Sequence, residues 1–115
     1  MPKKKNVTKA AQDLLGSVEE LALAVVQKLG DDANGMSVFE EIKTIYPPIS
    51  FGSVYTSLER MTWKGYLETR LGDPEPRRGG RARRYFRITK SGRAVLQATV
   101  AVRQQVKDML ALNPA

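Results

Sequence analysis

The chain has 115 residues, the size of one compact domain, and its 42% hydrophobic and 27% charged residues are typical of a folded protein. It contains no cysteine and no histidine, which excludes disulfides, thiolate zinc sites, a cysteine nucleophile and the commonest general base. The formal net charge of +7 indicates an acidic partner.

These limits argue against catalysis. The carboxylates occur mainly as sequence neighbours, as at Glu19-Glu20, and on a helix such neighbours point about 100° apart and do not pair. The longest apolar run, residues 21–26, is far shorter than the roughly 20 residues that cross a bilayer, and no apolar stretch follows the lysine-rich start. We therefore expect a cytoplasmic protein that is not an enzyme, with no cofactor, no metal and no membrane partner.

The positive charge is concentrated in one segment. Between Arg70 and Arg93 there are nine basic and two acidic residues, a net of +7, while the rest of the chain has ten of each and is neutral. A surface that only faces solvent does not need this segregation of charge. Binding to a polyanion does favour it, because each basic side chain that contacts a phosphate releases counterions. Eight of the nine are arginine, whose fork fits phosphate oxygens and guanine edges.

In chain order, the first predicted element is a helix preceded by an arm. Residues 1–12 are polar and lysine-rich, and we interpret them as a flexible arm that is either an extra phosphate contact or simply solvated. From Asp13 apolar residues recur at helical spacing until Leu29, and Gly30-Asp31-Asp32 then interrupts the pattern. The spacing predicts a first helix over 13–29.

A short second helix follows. Asn34-Gly35 predicts a turn, and Ser37 followed by Glu40 predicts a capping box at the start of this helix. Its buried stripe is predicted to be Val38, Phe39, Ile42, Ile45 and Tyr46. Pro47-Pro48 ends it.

The third predicted helix has one unusual face. Ser50 is a suitable N-cap, and the helix runs to about Lys64 before Gly65 stops it. At 100° per residue, the side predicted to face the core carries Phe51, Val54, Leu58 and Met61, and the other carries Ser53, Thr56 and Arg60 with Gly52 nearby. A solvated helix usually carries Glu and Lys pairs, so this small, hydrogen-bonding and basic face favours a contact surface.

A β-hairpin is predicted next. Tyr66–Leu71 and Arg83–Ile88 are β-like, and the turn-rich loop between them is basic. In the second strand, Phe86 and Ile88 are predicted to face the core, with Arg83, Tyr85 and Arg87 on the other side. Because Arg83 and Arg84 then point to opposite faces, we expect only one of them to make a strong contact.

The last predicted helix begins after Thr89 and runs to about Leu112. Its apolar residues fit a 3-4 seam, with Gly92 filling one position; they are Ile88, Val95, Thr99, Val102, Val106 and Met109. A domain this small has little core to cover so long a helix, which favours pairing with a second chain. The alternative is a helix folded back on its own domain.

Three helices, a basic hairpin and a long helix predict a mainly α fold with a small β-hairpin, a winged helix-turn-helix with a C-terminal dimerisation helix. Four segments also resemble the PadR family of transcriptional regulators: Leu15–Glu19, Phe51–Met61, Gly65–Glu68 and Arg78–Arg93. Met61 and Thr62 depart from the Leu and acidic residue usual in the family. The single C-terminal helix resembles the shorter subfamily.

The resemblance implies a DNA-binding transcription regulator, a homodimeric repressor on a palindromic operator that a small planar effector releases. Residues 13–88 would be the DNA-binding domain and 89–112 the dimerisation helix. DNA contacts are predicted at Gly52, Ser53, Tyr55, Thr56, Arg60, Lys64, Arg77, Arg78, Arg81, Arg83 and Arg84. Dimer contacts are predicted at Leu14, Leu15, Val18, Val95, Thr99, Val102, Val106 and Met109.

Some alternatives stay open from sequence alone. The arginine-rich tip suits RNA as well as double-stranded DNA, and a winged helix can serve protein contacts alone, without operator specificity. Trp63, the single tryptophan, either packs into the junction with the hairpin or lines an effector space at the dimer interface.

Overall fold

The computed structural model describes residues 14–73 and 82–112. Their elements in chain order are α1 (Ser17–Leu29), a short 3-10 turn (Gly30–Asp32), α2 (Gly35–Ile45), α3 (Phe51–Trp63), β1 (Leu67–Leu71), β2 (Arg84–Ile88) and α4 (Lys90–Leu112). This order confirms the mainly helical fold with one hairpin. Among the helices of the described residues, none has an apolar stretch of the length that a bilayer requires.

Helix α1 begins four residues later than its apolar pattern predicts. Gly16 is the N-cap, and its amide donates to the Glu19 carboxylate at 3.1 Å, which satisfies a group that the helix leaves unpaired. Just before it, the Leu15 amide donates to the Thr99 hydroxyl of α4 at 3.0 Å. Leu15 thus contacts α4, and residues 14–16 do not extend the first helix.

The cap of α2 also differs from the prediction. The N-cap is Asn34, whose side chain accepts from the Ser37 amide at 3.0 Å while the Asn34 amide donates to the Ser37 hydroxyl at 2.9 Å. The predicted capping box of Ser37 with Glu40 is therefore wrong, because Ser37 already closes the box from its third position. The helix ends at Ile45, shortly before the proline pair that was predicted to end it. Ile45 and Tyr46 are exposed, so the predicted buried stripe is wrong at its last two positions, which lie at and just after the end of the helix.

Helix α3 forms where the sequence places it. The Ser50 hydroxyl accepts from the Ser53 amide at 3.1 Å, which confirms the predicted cap. At the other end Gly65 adopts a φ of 87°, and the Tyr66 amide donates to the Met61 carbonyl at 2.9 Å, the closing bond of a Schellman motif. A residue with a side chain is strained at this φ, so the glycine both ends the helix and redirects the chain into β1.

One residue of the predicted inner side of α3 lies elsewhere. Val54, Leu58 and Met61 are fully buried, but Phe51 is 40% exposed. Its ring packs edge-on against Phe39 and stacks on Tyr55, with ring centroids 5.6 and 5.9 Å away. Phe51 therefore closes the edge between α2 and α3 and does not enter the core.

The two strands pair antiparallel, with Leu67 opposite Ile88 and Thr69 opposite Phe86. Phe86 and Ile88 are buried and Arg87 is exposed, which confirms the predicted facing of β2. The Phe86 amide also donates to the Ala33 carbonyl at 2.8 Å, so the hairpin is joined to the link between α1 and α2. The predicted basic tip at 74–81 lies outside the described residues.

The core lies between α1, α2, α3 and the start of α4. Its largest fully buried side chains are Leu23, Val26, Val38, Ile42, Val54, Leu58, Met61 and Val95. Helix α1 packs against α2, α3, β2 and α4, which makes it the central element. The face of α3 that carries Ser53, Thr56 and Arg60 lies outside this core.

Helix α4 begins with a tight attachment to the body. Thr89 is positioned as predicted, since its hydroxyl accepts from the Gly92 amide at 3.0 Å. The Thr89 and Ser91 hydroxyls both donate to the Gly65 carbonyl, at 2.7 and 3.1 Å. A Cβ on Gly92 would lie 2.2 Å from the Tyr66 carbonyl oxygen, so only glycine allows this approach.

The two halves of α4 differ in burial. Val95, Leu96 and Thr99 are buried in the core of their own chain. From Val100 to Ala111 every side chain is exposed. The burial of Val95 and Thr99 removes two residues of the predicted dimer seam from the surface that a partner could reach, because the same chain already covers them.

Candidate nucleic-acid interface

The outward face of α3 is the first part of the site. Ser53, Thr56 and Arg60 are exposed, on the side of the helix away from Val54 and Leu58. Gly52 is exposed beside them, and a Cβ added there would meet nothing within 4 Å, so space rather than crowding surrounds the first turn. The structure thus brings together the four residues that the sequence places on this face.

An open groove of about 440 Å³ runs along this face, between α3 and the start of α1. Its lining residues are Gly16, Val18, Glu19, Gly52, Ser53, Thr56, Ser57 and Arg60. Most of them carry small or hydrogen-bonding side chains. A surface of this kind can receive polar edges of a ligand without displacing large side chains.

Arg60 and Lys64 share one carboxylate, and we call these three residues the Glu19 cluster. Glu19 Oε2 lies 3.6 Å from Arg60 Nη1 and 4.0 Å from Lys64 Nζ. Both separations are beyond hydrogen-bond distance. The two basic side chains are 52% and 40% exposed, so they remain accessible to an anion in solution.

A second cluster joins α3 to β2, and we call Glu59, Arg84 and Tyr55 the Glu59 cluster. Both terminal nitrogens of Arg84 donate to the Glu59 carboxylate, and Nη1 also donates to the Tyr55 hydroxyl at 3.1 Å. The Arg84 guanidinium lies 5.0 Å from the centre of the Phe86 ring. Hydrogen bonding of the Glu59 carboxylate, first with Arg84 and then with the Tyr55 hydroxyl, lowers the pKa of Glu59 below its ordinary value.

The other arginines of the hairpin occupy different settings. Arg70 stacks over the Tyr85 ring at 4.7 Å and donates to the Asp31 carbonyl at 3.1 Å, and Arg87 lies 3.7 Å from the Glu68 carboxylate. Arg83 is half-buried, just before β2. The predicted contacts Arg77, Arg78 and Arg81 lie outside the described residues.

The predicted dimer residues fall into two groups. Leu15, Val95 and Thr99 are buried and Val18 is half-buried, all within one chain. Leu14, Val102, Val106 and Met109 are exposed, together with Val100 and Leu110, which the predicted seam omits. An apolar surface thus follows the far half of α4, although Arg103 on this half pairs with Glu20 of α1.

Sequence reasoning missed the two glutamates and the exposure of Trp63. Glu59 follows Tyr55 by four residues on one helix, so helical spacing could have paired them. Nothing local connects Glu19 to Arg60, because α1 and α3 meet only in the folded chain. Trp63 is 78% exposed, so it does not pack into the junction with the hairpin.

Within residues 14–73 and 82–112, no three acidic side chains come close enough together to hold a metal ion. The arrangement offers hydrogen-bond donors, small side chains and arginines. These are the groups that proteins use on phosphates and base edges.

Comparison with known proteins points the same way. The profile of the transcriptional regulator PadR-like family matches residues 22–98, well over half of the chain. A comparison of the chain with curated proteins gives no match. Among solved structures, one from Streptococcus mutans UA159 is 30% identical, with a TM-score of 0.65, and the match covers 82% of this chain and 81% of that one.

Two further structures are described as PadR family or PadR-like regulators. That from Clostridium difficile R20291 is 18% identical with a TM-score of 0.71, over 84% of this chain and 97% of that one. That from Bacillus cereus ATCC 14579 is 21% identical with a TM-score of 0.70, over 85% and 93%. Their likeness confirms the predicted winged-helix fold.

Proposed function

The chain belongs to the PadR-like family of transcriptional regulators, and from that premise we propose that it represses transcription by binding a palindromic DNA operator as a symmetric pair. Residues 13–88 would form the DNA-binding part and 89–112 the helix that joins two copies. One observation carries the DNA-binding part of this proposal. The outward face of α3 is open and polar, and the hairpin beside it belongs to the segment that holds a charge equal to the net charge of the whole chain.

We place α3 in the major groove, which is about 12 Å wide and admits a helix. Ser53 and Thr56 then reach base edges or phosphates, and Arg60 lies further along the same face, where its fork suits a guanine. Lys64 meets the backbone, and the open first turn at Gly52 allows a phosphate to approach the amides of α3. Support comes from the exposure of these side chains.

The hairpin contributes charge along the adjoining backbone or minor groove. Arg77, Arg78 and Arg81 are the strongest candidates by sequence, with Arg83 behind them. Arg84 and Tyr55 have a different role in this proposal, because each is engaged by its neighbours in the Glu59 cluster. They fix the angle between hairpin and recognition helix.

The partner for α4 is a second copy of this chain. Val102, Val106 and Met109 form an exposed apolar stripe at 3-4 spacing, and Leu14 adds to it from the start of the domain. A two-fold pair places its recognition helices about 34 Å apart, one turn of DNA, which matches a palindrome. Release by a flat compound held between the two copies completes the proposal, and only the family resemblance supports that step.

The DNA-binding proposal is tested by selecting duplexes from a random pool and measuring affinity for the selected site against salt. We expect log affinity to fall steeply with log salt, and the triple variant Arg77→Ala, Arg78→Ala, Arg81→Ala to reduce the slope by about one unit for each phosphate that no longer meets an arginine. An unchanged slope would mean that the hairpin tip does not contact the DNA. Failure to enrich any duplex would overturn DNA binding and leave RNA or protein as the partner.

Pairing is tested separately by sedimentation. Val106→Asp puts a charge on the apolar stripe, and we expect it to convert the pair into single chains. Ala101→Asp adds the same charge about 140° away around the helix and should leave the pair intact. A wild type that sediments as one chain at every concentration would contradict the symmetric arrangement.

A further inference from the structure

Trp63 is the most exposed large apolar side chain of the described residues, at 78%. It is the last residue of α3 and the single tryptophan of the chain. An indole ring has a large apolar area, and leaving it in water forgoes the stabilisation that its burial provides. Its position at the end of the candidate recognition helix suggests what covers it.

Helical geometry places Trp63 on the outward stripe. It follows Thr56 by seven residues, so it points within about 20° of that side chain and lies about 10 Å further along the axis. It follows the buried Val54 by nine residues and so points about 180° away from it. Trp63 therefore continues the row of Gly52 and Thr56, directly away from the core.

The charges around the indole favour an anionic partner over an apolar one. Arg60 precedes it by one turn and Lys64 follows it, and both side chains are exposed. Glu19 offsets part of this charge, but its side chain is only 12% exposed, and Oε1 accepts from the Gly16 amide. Glu59, the other acidic residue nearby on α3, is neutralised by Arg84.

We propose that Trp63 is a DNA contact on the recognition surface of α3, about two turns beyond Thr56. Its ring lies against the sugar-phosphate backbone at the edge of the major groove, and its indole N–H donates to a phosphate oxygen. This inference rests on the proposed function. Since backbone contacts position a protein without reading sequence, Trp63 contributes equally to operator and unrelated duplexes.

The fluorescence of the unmodified protein tests this directly, because all tryptophan emission comes from residue 63. Addition of the selected duplex should shift the emission to shorter wavelength and reduce quenching by acrylamide. Dilution of the free protein should change neither. Unchanged emission on saturated DNA overturns the inference, and so does protection that is present without DNA and lost on dilution, which would mean that a second copy covers the ring.

Variants supply an independent measurement. Trp63→Ala should weaken binding to the operator and to an unrelated duplex by the same factor, about three- to ten-fold, as expected for one hydrogen bond with some apolar contact. Trp63→Phe retains a ring but no donor and should lose about half of that effect in free energy. Ile45→Ala removes another exposed apolar side chain, at the end of α2, and should bind as wild type.

The two proposals fail in distinguishable ways. If the wild type binds no duplex, DNA recognition and the role of Trp63 are both overturned. If it binds DNA and depends on Arg60, while Trp63→Ala binds as well as wild type, only the inference about Trp63 is overturned. A loss confined to the operator would also overturn it, because that result would mean that the ring reads bases.

Discussion

The Glu19 and Glu59 clusters, which join α3 to α1 and to β2, hold their arginines differently. In the Glu59 cluster, Arg84 donates from two nitrogens to the carboxylate and also reaches the Tyr55 hydroxyl. In the Glu19 cluster, Arg60 stays 3.6 Å from its carboxylate and Lys64 stays at 4.0 Å. The side chain of Arg84 is 31% exposed and that of Arg60 is 52% exposed.

This difference indicates separate roles for Arg84 and Arg60, which the sequence alone does not distinguish. A forked, hydrogen-bonded pair is directional and stabilises the contact between the two elements that it joins, here helix and strand. Arg60 is itself exposed and lies beyond hydrogen-bond distance of Glu19, so this pair contributes at most about 1 kcal/mol and the arginine can leave the carboxylate for a phosphate or a base at little cost. We infer that Arg84 maintains the shape of the interface and that Arg60 binds DNA.

The largest expected effect is on DNA affinity and comes from the loss of Arg60. Arg60→Ala should weaken operator binding by about 1 to 3 kcal/mol and leave the fold intact, because it removes a contact to a base edge or phosphate. Lys28→Ala also removes one cation from an exposed pair, with Glu41, but on the side where α1 meets α2. Equal losses in the two variants would mean that only net charge matters. Affinity by fluorescence anisotropy and unfolding by circular dichroism measure both.

The next effect concerns the structural side. Arg84→Ala should lower the free energy of unfolding by about 1 to 2 kcal/mol, because it removes the hydrogen bonds that Arg84 donates to Glu59 and Tyr55. Arg87→Ala removes an arginine of the same strand that lies 3.7 Å from Glu68, both side chains being well exposed. It should cost less than about 0.5 kcal/mol. Urea denaturation compares the two, and similar values would contradict the structural role of Arg84.

A smaller effect follows from the titration of Glu59. Hydrogen bonds from Arg84 and with Tyr55 lower its pKa below the ordinary 4.5, so its contribution is complete above pH 4.5 and is lost as pH falls through the folded value. Glu59→Gln should therefore be less stable than wild type at neutral pH, by less than about 1 kcal/mol for so exposed a carboxylate. The gap should close in acid. A gap that stays constant from pH 7 to pH 3 would contradict this origin.

The smallest expected effect is a gain in DNA affinity when the charge of Glu19 is removed. Glu19→Gln keeps an acceptor for the Gly16 amide but frees Arg60 and Lys64 from a negative charge. DNA affinity at low salt should rise by no more than about 0.5 kcal/mol. Glu68→Gln, which makes the same change beside Arg87, should leave affinity unchanged apart from the general effect of net charge. A fall in affinity for Glu19→Gln would show that the carboxylate orients Arg60.

Features set by short-range rules were predictable. The Ser50 cap, the stop at Gly65 and the buried positions of β2 follow from hydrogen bonds within five residues or from strand alternation, and the structure confirms each of them. The start of α1 was missed although the Gly16–Glu19 hydrogen bond is local, and the Leu15–Thr99 hydrogen bond beside it spans 84 positions.

The same limit applies to the site. Sequence identified the open face of α3, since helical spacing alone defines it. The partner of Arg84 lies 25 positions away, and the burial of Val95 and Thr99 depends on how α4 packs against α1. Which arginine is available and which half of α4 is free are properties of packing that no local pattern contains.

The attachment at the start of α4 has a mechanical consequence. Because Thr89, Ser91 and Gly92 fasten this helix to the Gly65-Tyr66 link that directly follows α3, the direction of one helix fixes the direction of the other. In any pair joined through the far half of α4, the crossing angle of the two α4 helices sets the distance between the two α3 helices. The spacing of the two DNA half-sites then depends on the geometry of the α4 pair. A compound that changes the crossing angle of the two α4 helices would change which operators the pair can bind.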